Sequence, residues 1–171
     1  MSPCDQIGNL AIVHAAAWEA AYRGLFPDRV IDEITIEKRS RNWERSIADP
    51  DRENLLYEEN GEVLGFLSYG PSREEKLGVV GEVIACYVPP NAWRRGVGRA
   101  LWSKAHPDLT SRFHQVIVWV LRDNHAARAF YESIGFAYVE ASDRPLSWCP
   151  TVIEVCHLTD LGGANGPDPP A

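Results

Sequence analysis

No stretch of the 171-residue chain stays apolar for the about 18 positions a membrane helix needs, so no spanning segment is expected. Met1-Ser2-Pro3-Cys4-Asp5 has neither a basic region nor an apolar core, so it is not expected to be a secretory leader. Cysteine is scarce: Cys4, Cys86, Cys149 and Cys156 lie far apart, with no Cys-x-x-Cys and no paired histidine spacing. That argues against a disulfide framework or a zinc site, so no metal is expected, and points to reduced thiols in the cytoplasm. Positive charge is in deficit as well, the net charge being -7, which argues against nucleic acid as a partner. No internal repeat is visible.

What is present is an ordinary globular composition, 45% hydrophobic and 24% charged, on a chain long enough for one core. We expect one domain over residues 1–161 and a disordered tail over 162–171, rich in glycine, proline and alanine. Within this acidic chain Val83 to Pro107 contains no acidic residue, yet holds Arg94, Arg95, Arg99 and Lys104. The same stretch reads as an apolar strand from Gly81 to Val88, a Pro89-Pro90 break, the loop Trp93-Arg94-Arg95-Gly96-Val97-Gly98, and a helix opening at Arg99-Ala100-Leu101. Glycines that let the backbone curl, followed by the free amides of a helix N-terminus, make an anion site. A Walker loop would need a lysine followed by a hydroxyl residue, and a dinucleotide fingerprint a third glycine where Leu101 stands. A nucleoside triphosphate and NAD are therefore both excluded as the ligand.

A second stretch, Asn124-His125-Ala126-Ala127-Arg128-Ala129-Phe130-Tyr131-Glu132-Ser133-Ile134-Gly135-Phe136, narrows the ligand further. Together the two resemble the GNAT superfamily of acyl-CoA-dependent N-acyltransferases. Their loop reads Gln/Arg-x-x-Gly-x-Gly/Ala and their next unit Asn-x-x-Ala-x-x-x-Tyr-x-x-x-Gly-Phe. The second pattern matches at every specified position; in the first, Trp93 replaces the usual Gln or Arg. The resemblance spans roughly residues 5 to 158. It implies a mixed, twisted α/β sheet with helices on both faces, splayed between two parallel strands that end at Val88 and Leu121. It also implies acetyl-CoA as cosubstrate, its pyrophosphate held by Arg94, Arg95, Gly96, Val97, Gly98, Arg99 and Ala100. Backbone groups of Tyr87 and Val88 would pair with pantetheine, the Val88 amide would face the thioester carbonyl, and Asn124 would make a further cofactor contact or serve only as a helix cap. Members usually begin with a strand leading into the first helix. Here nothing precedes the Pro3-Cys4-Asp5 turn, so a lost or rudimentary first edge strand is expected.

Along the chain, Asp5 is the expected cap of a helix whose stripe is Ile7, Leu10, Ala11, His14, Trp18, Ala21 and Tyr22, ending at Gly24 and Pro27. Short helices are expected over Pro27–Ile34 and from a Thr35 cap to Asp49-Pro50. In the family the first helices wall the acceptor site, and the run from Trp18 to Pro27 resembles one frequent in bacterial members. Trp18 and Tyr22 are thus acceptor-pocket candidates or simply the apolar stripe of the helix. Asn60-Gly61 between two strand-like runs marks a hairpin. Pro107 should stop the loop-following helix near His106. Gln115–Leu121 reads as a buried strand, and Phe136–Ala141 and Thr151–Leu158 as the last two, with Pro145, Trp148 and Pro150 in a loop between.

Acyl transfer to an amine needs a base for the amine, stabilisation of the thioester oxygen and an acid for the leaving thiolate. Tyr131 fits the acid by resemblance and by chemistry, since a phenol near ~10 is protonated at neutral pH. Glu82 is the candidate base, at a position where many members carry glutamate, or else a solvated residue at a strand start. Trp119 is a weaker candidate for the acceptor cleft, and His125 for a proton relay. The function implied is direct acetyl transfer to a primary amine, of a small cationic molecule by the acidic balance, or of a protein N-terminus or lysine. A homodimer is compatible with the chain. Two rivals remain: a CoA-binding module without catalysis, and an interaction protein exposing Trp18, Trp43 and Trp148.

Overall fold

The computed structural model describes residues 3–33, 35–74 and 78–162, with no side-chain detail for 3–6. Three helices come first: α1 (Pro3–Tyr22), α2 (Asp28–Asp32) and α3 (Ile36–Ala48). The antiparallel hairpin β1 (Glu53–Glu59) and β2 (Glu62–Pro71) turns at Asn60 and Gly61, both at positive φ (53° and 81°). Then follow β3 (Gly81–Tyr87), α4 (Val97–Arg112), β4 (Gln115–Leu121) and α5 (His125–Ser133). Strands β5 (Ala137–Tyr138), β6 (Arg144–Leu146) and β7 (Cys149–Asp160) close the sequence. The sheet runs β1-β2-β3-β4-β7-β5, with β6 also on β7.

Among the strands described, only β3 and β4 pair in parallel, through three rungs, Gly81 with Val116, Glu82 with Ile117 and Val83 with Val118. Beyond Val83 the strand pairs on its β2 side alone, through Ala85, Cys86 and Tyr87. The register slips between Ser68 and Tyr69 of β2, which turns β3 away from β4. Pro89 and Pro90 then end the ladder because neither has an amide hydrogen. The sheet therefore opens into a gap at the C-terminal ends of its two central strands.

The pleat sorts the side chains onto two faces. On one, Leu67, Tyr69, Val83, Val116, Val118 and Val120 pack under Val97, Leu101, Ala105 and Leu109 of α4 and Tyr131 of α5. On the other, Phe66 and Leu121 meet the first three helices, Phe66 with Leu10, Ala11 and Trp43, and Leu121 with Trp18, Phe26 and Ile31. Helices cover both faces, as α/β packing requires.

Four expectations are corrected. The first helix begins at Pro3, so Asp5 lies in its opening turn and is not the cap; proline suits a first helical position, whose amide has no partner in any case. Pro107 does not stop α4, which runs on to Arg112. Leu109 and Phe113, both buried, anchor the last turn, and the Phe113 amide bonds Leu109 O at 2.8 Å, so packing outweighs the one lost hydrogen bond. The run after Phe136 pairs only at Ala137 and Tyr138, while Arg144, Pro145 and Leu146, expected in a loop, form a strand. Pro145 is tolerated there because β6 is an edge strand. Trp18 and Trp43 are buried (7% and 3% exposed), so they form no exposed aromatic surface with Trp148. Among the described residues no strand precedes α1; Met1, Ser2 and the tail from 163 lie outside them.

Candidate active site

The glycine loop is built by two glycines with different duties. Gly96 sits at φ 82° as the N-cap of α4, and a Cβ there would meet nothing within 4 Å, so conformation alone requires glycine. At Gly98 a Cβ would stand 3.0 Å from the Phe130 ring, so this glycine lets α4 and α5 touch. No side chain caps α4, which leaves its first-turn amides directed out of the helix. The Ala100 amide is already bonded to Gly96 O at 2.9 Å. Arg94 is held at φ 62°, Arg95 ion-pairs with Glu59 of β1, and Arg99 reaches Ser133 O and Oγ at 3.4 Å. Half-exposed Trp93 turns back, its indole N–H donating to Val88 O at 2.6 Å.

Tyr131 is 7% exposed and meets Phe130 and Phe136 edge-on. Burial pushes its phenol well above the ordinary value, with Cys86 and Tyr22 adding to the effect. Burial alone raises the neighbouring Cys86 thiol to about 12. Asn124 caps α5, its Oδ1 accepting from the Ala127 amide at 3.1 Å. His125 is exposed at the start of α5.

Across the sheet, Tyr87 ends β3 with its hydroxyl 2.9 Å from that of Tyr22 and its ring 4.8 Å from His14. Trp18 stacks on Phe26 (5.3 Å, 18°) and meets Tyr22 edge-on at 4.8 Å. Glu82 is 1% exposed, which removes the solvated reading. It accepts from the Arg73 amide at 2.9 Å and Arg73 Nε at 3.1 Å. Nearby, the Arg144 guanidinium lies 3.4 Å from the centre of the Trp119 ring and pairs with both Glu74 and Glu154. Cys156, raised to about 11 by burial, feels Arg144, Glu82, Glu74 and Glu154 in turn, so these charges share one region beside Trp119.

The family model described as "Acetyltransferase (GNAT) family" matches residues 15–136. The chain belongs to the GNAT family. An uncharacterized N-acetyltransferase of Bacillus subtilis, YuaI, is 30% identical over 131 residues, 75% of this chain and 73% of that protein. The PaiA N-acetyltransferase of Thermoplasma acidophilum, solved with coenzyme A, shares the fold at TM-score 0.70 and 17% identity over 92% of this chain and 94% of that one. The yncA protein of Salmonella typhimurium, solved with acetyl-CoA, superposes at TM-score 0.69 and 21% identity over 98% and 95%.

This GNAT chain is an N-acetyltransferase by family, and its residues fit the cosubstrate. An uncapped helix start with open space above Gly96 suits a pyrophosphate, and the three-rung splay leaves unpaired strand edges for an amide-bearing arm. The structure brings Tyr87, Val88 and Tyr131 to the splay, Trp18 and Tyr22 to its opposite face, and Glu82 and Trp119 to the Arg73–Arg144 region. Sequence reasoning missed His14, Arg39, Arg73, Arg144 and the side chain of Tyr87. One signal was available: His14, Trp18 and Tyr22 stand four apart on a single helix face. For Arg73 and Arg144 there was none, since their partners are set by tertiary packing.

Proposed function

We propose that this GNAT enzyme transfers acetyl from acetyl-CoA to the primary amine of a small molecule by direct attack, with no covalent enzyme intermediate. The observation that carries this reading is the buried Tyr131 phenol on the α4 side of the splay. Acetyl-CoA, when bound, supplies the activated thioester. Tyr131 holds a proton for the departing sulfur. Its phenol is raised by burial, but so is the adjacent Cys86 thiol, and any thiolate released into that environment is raised with it. The Val88 amide lies past the last rung and is assigned to the thioester oxygen, and Glu82 to the amine's proton. Residues 1–161 are read as one catalytic domain. The free thiols of Cys86, Cys149 and Cys156 support a cytoplasmic location.

One observation favours the rival binding module: Glu82 is fully engaged by Arg73, leaving no free base at rest. Thiol release from acetyl-CoA across a panel of amines, with coenzyme A binding followed by calorimetry, separates the two. Amine-dependent release that Tyr131→Phe abolishes supports the transferase. Tight binding with no release from any amine supports the module.

A further inference from the structure

Arg39 of α3, partly buried, differs from two other arginines of this face. Arg73 and Arg144 each hold a carboxylate. Arg39 has none among the described residues, and its buried Nε has no hydrogen-bond partner. Its guanidinium carbon lies 5.0 Å from the centre of the Trp18 ring. Its charge lowers the phenols of Tyr22 and Tyr87 and the imidazole of His14, so it faces all three. Those groups carry no compensating charge. His14 is held neutral, its pKa reduced to about 3 by burial and then by Arg39, and both phenols remain protonated because burial dominates them. A cation partly withdrawn from water among neutral rings is costly without a counter-ion. A planar guanidinium recognises a carboxylate best, through two parallel hydrogen bonds.

The place of this unmatched charge matters. Tyr22 and Tyr87 are hydrogen-bonded to each other at 2.9 Å, Tyr87 ends the splayed strand, and Tyr22 is close enough to Tyr131 to raise its phenol. Arg39, the Tyr22–Tyr87 pair and Tyr131 thus form a series leading from the first helices to the reacting centre. A small molecule with its anion at Arg39 would direct its other end toward the splay.

We propose that Arg39 anchors a carboxylate of the acceptor, so that the acceptor is a small amine of the amino-acid type. This deepens the proposed function and rests on it. It also replaces the small cationic acceptor suggested by net charge: the -7 belongs to the whole chain, whereas the acceptor meets a guanidinium.

The test compares amino acids with their own carboxamides, which lack the anion, at matched concentrations of unprotonated amine. Thiol release from acetyl-CoA and calorimetric binding to the coenzyme A-loaded protein are both read, for wild type, Arg39→Gln and Arg39→Lys. The expected result is at least one pair in which the acid is favoured tenfold or more. That preference should vanish in Arg39→Gln and partly return in Arg39→Lys, with coenzyme A affinity unchanged. Release with carboxamides or simple amines equal to that with acids would leave the transferase standing and overturn the role of Arg39. Acid-selective binding without release would support Arg39 while removing the transfer reading. No preference in either readout overturns the proposal, and the wild-type comparison decides even if a variant fails to fold.

Discussion

The two faces of the splayed sheet solve different problems. On the α4–α5 side the core is apolar and the site is made largely of backbone: a glycine at φ 82°, a glycine against Phe130, and an uncapped helix start. On the α1–α3 side the proposed acceptor site is made of side chains, and several of their polar atoms, in His14, Arg39, Trp43 and Trp119, are buried without partners. Backbone amides suit a ligand end common to a whole family, because they are present whatever the sequence. Unsatisfied side chains are where one enzyme's own specificity is written, since each buried polar atom selects against an acceptor that leaves it unpaired.

The contrast can be broken most directly at Tyr131, which packs on the α4 side and feels Tyr22 from the other. Tyr131→Phe should lower kcat by about 10²- to 10⁴-fold, the usual weight of a positioned acid, with coenzyme A affinity unchanged. Equal turnover would remove it from the chemistry. A smaller effect is expected from Gly98→Ala, whose methyl must displace the Phe130 ring from 3.0 Å. Urea denaturation should show a loss of about 1–3 kcal/mol, the range for overpacking.

On the α1–α3 side, the partly buried imidazole of His14 predicts an acid-sensitive fold. Its folded-state pKa of about 3 lies below the ordinary 6.5, so the unfolded chain takes up a proton that the folded chain refuses. Stability is therefore lost as pH falls from 6.5 towards 3, by about 1.4 kcal/mol at pH 5.5. Urea titrations of wild type and His14→Leu should differ in this slope; parallel slopes would assign the acid sensitivity elsewhere. Smallest of all, Asn124→Ala should cost about 1 kcal/mol by uncapping α5. If calorimetry shows coenzyme A affinity unchanged, capping is its whole contribution; a clear loss would make Asn124 a cofactor contact too.

Much of the fold was legible because its signals are local. Asn60-Gly61 can turn tightly at positive φ, the Pro89-Pro90 pair cannot continue a ladder, and Gly96 with Gly98 opens a helix. Local signals misled where packing overruled them. Pro107 remained inside α4 because Leu109 and Phe113 gain more by burial than one missing amide loses. Pro145 joined the sheet because β7, twelve residues long, offered an edge at no cost in amides. Glu82 was found as a position, yet its ion pair with Arg73 was not, because nothing in the sequence indicates how the loop after β2 folds back.

By itself, then, the sequence determined the family and the proposed cofactor half: the glycine loop and the Asn124–Phe136 unit are each contiguous, and their local geometry depends on spacings of a few residues. Only the tertiary structure brought together the proposed acceptor half. His14, Arg39, Tyr87 and Trp119 come from four separate elements, and whether a guanidinium keeps a carboxylate or stands alone among rings depends on how those elements pack, which no spacing along the chain records.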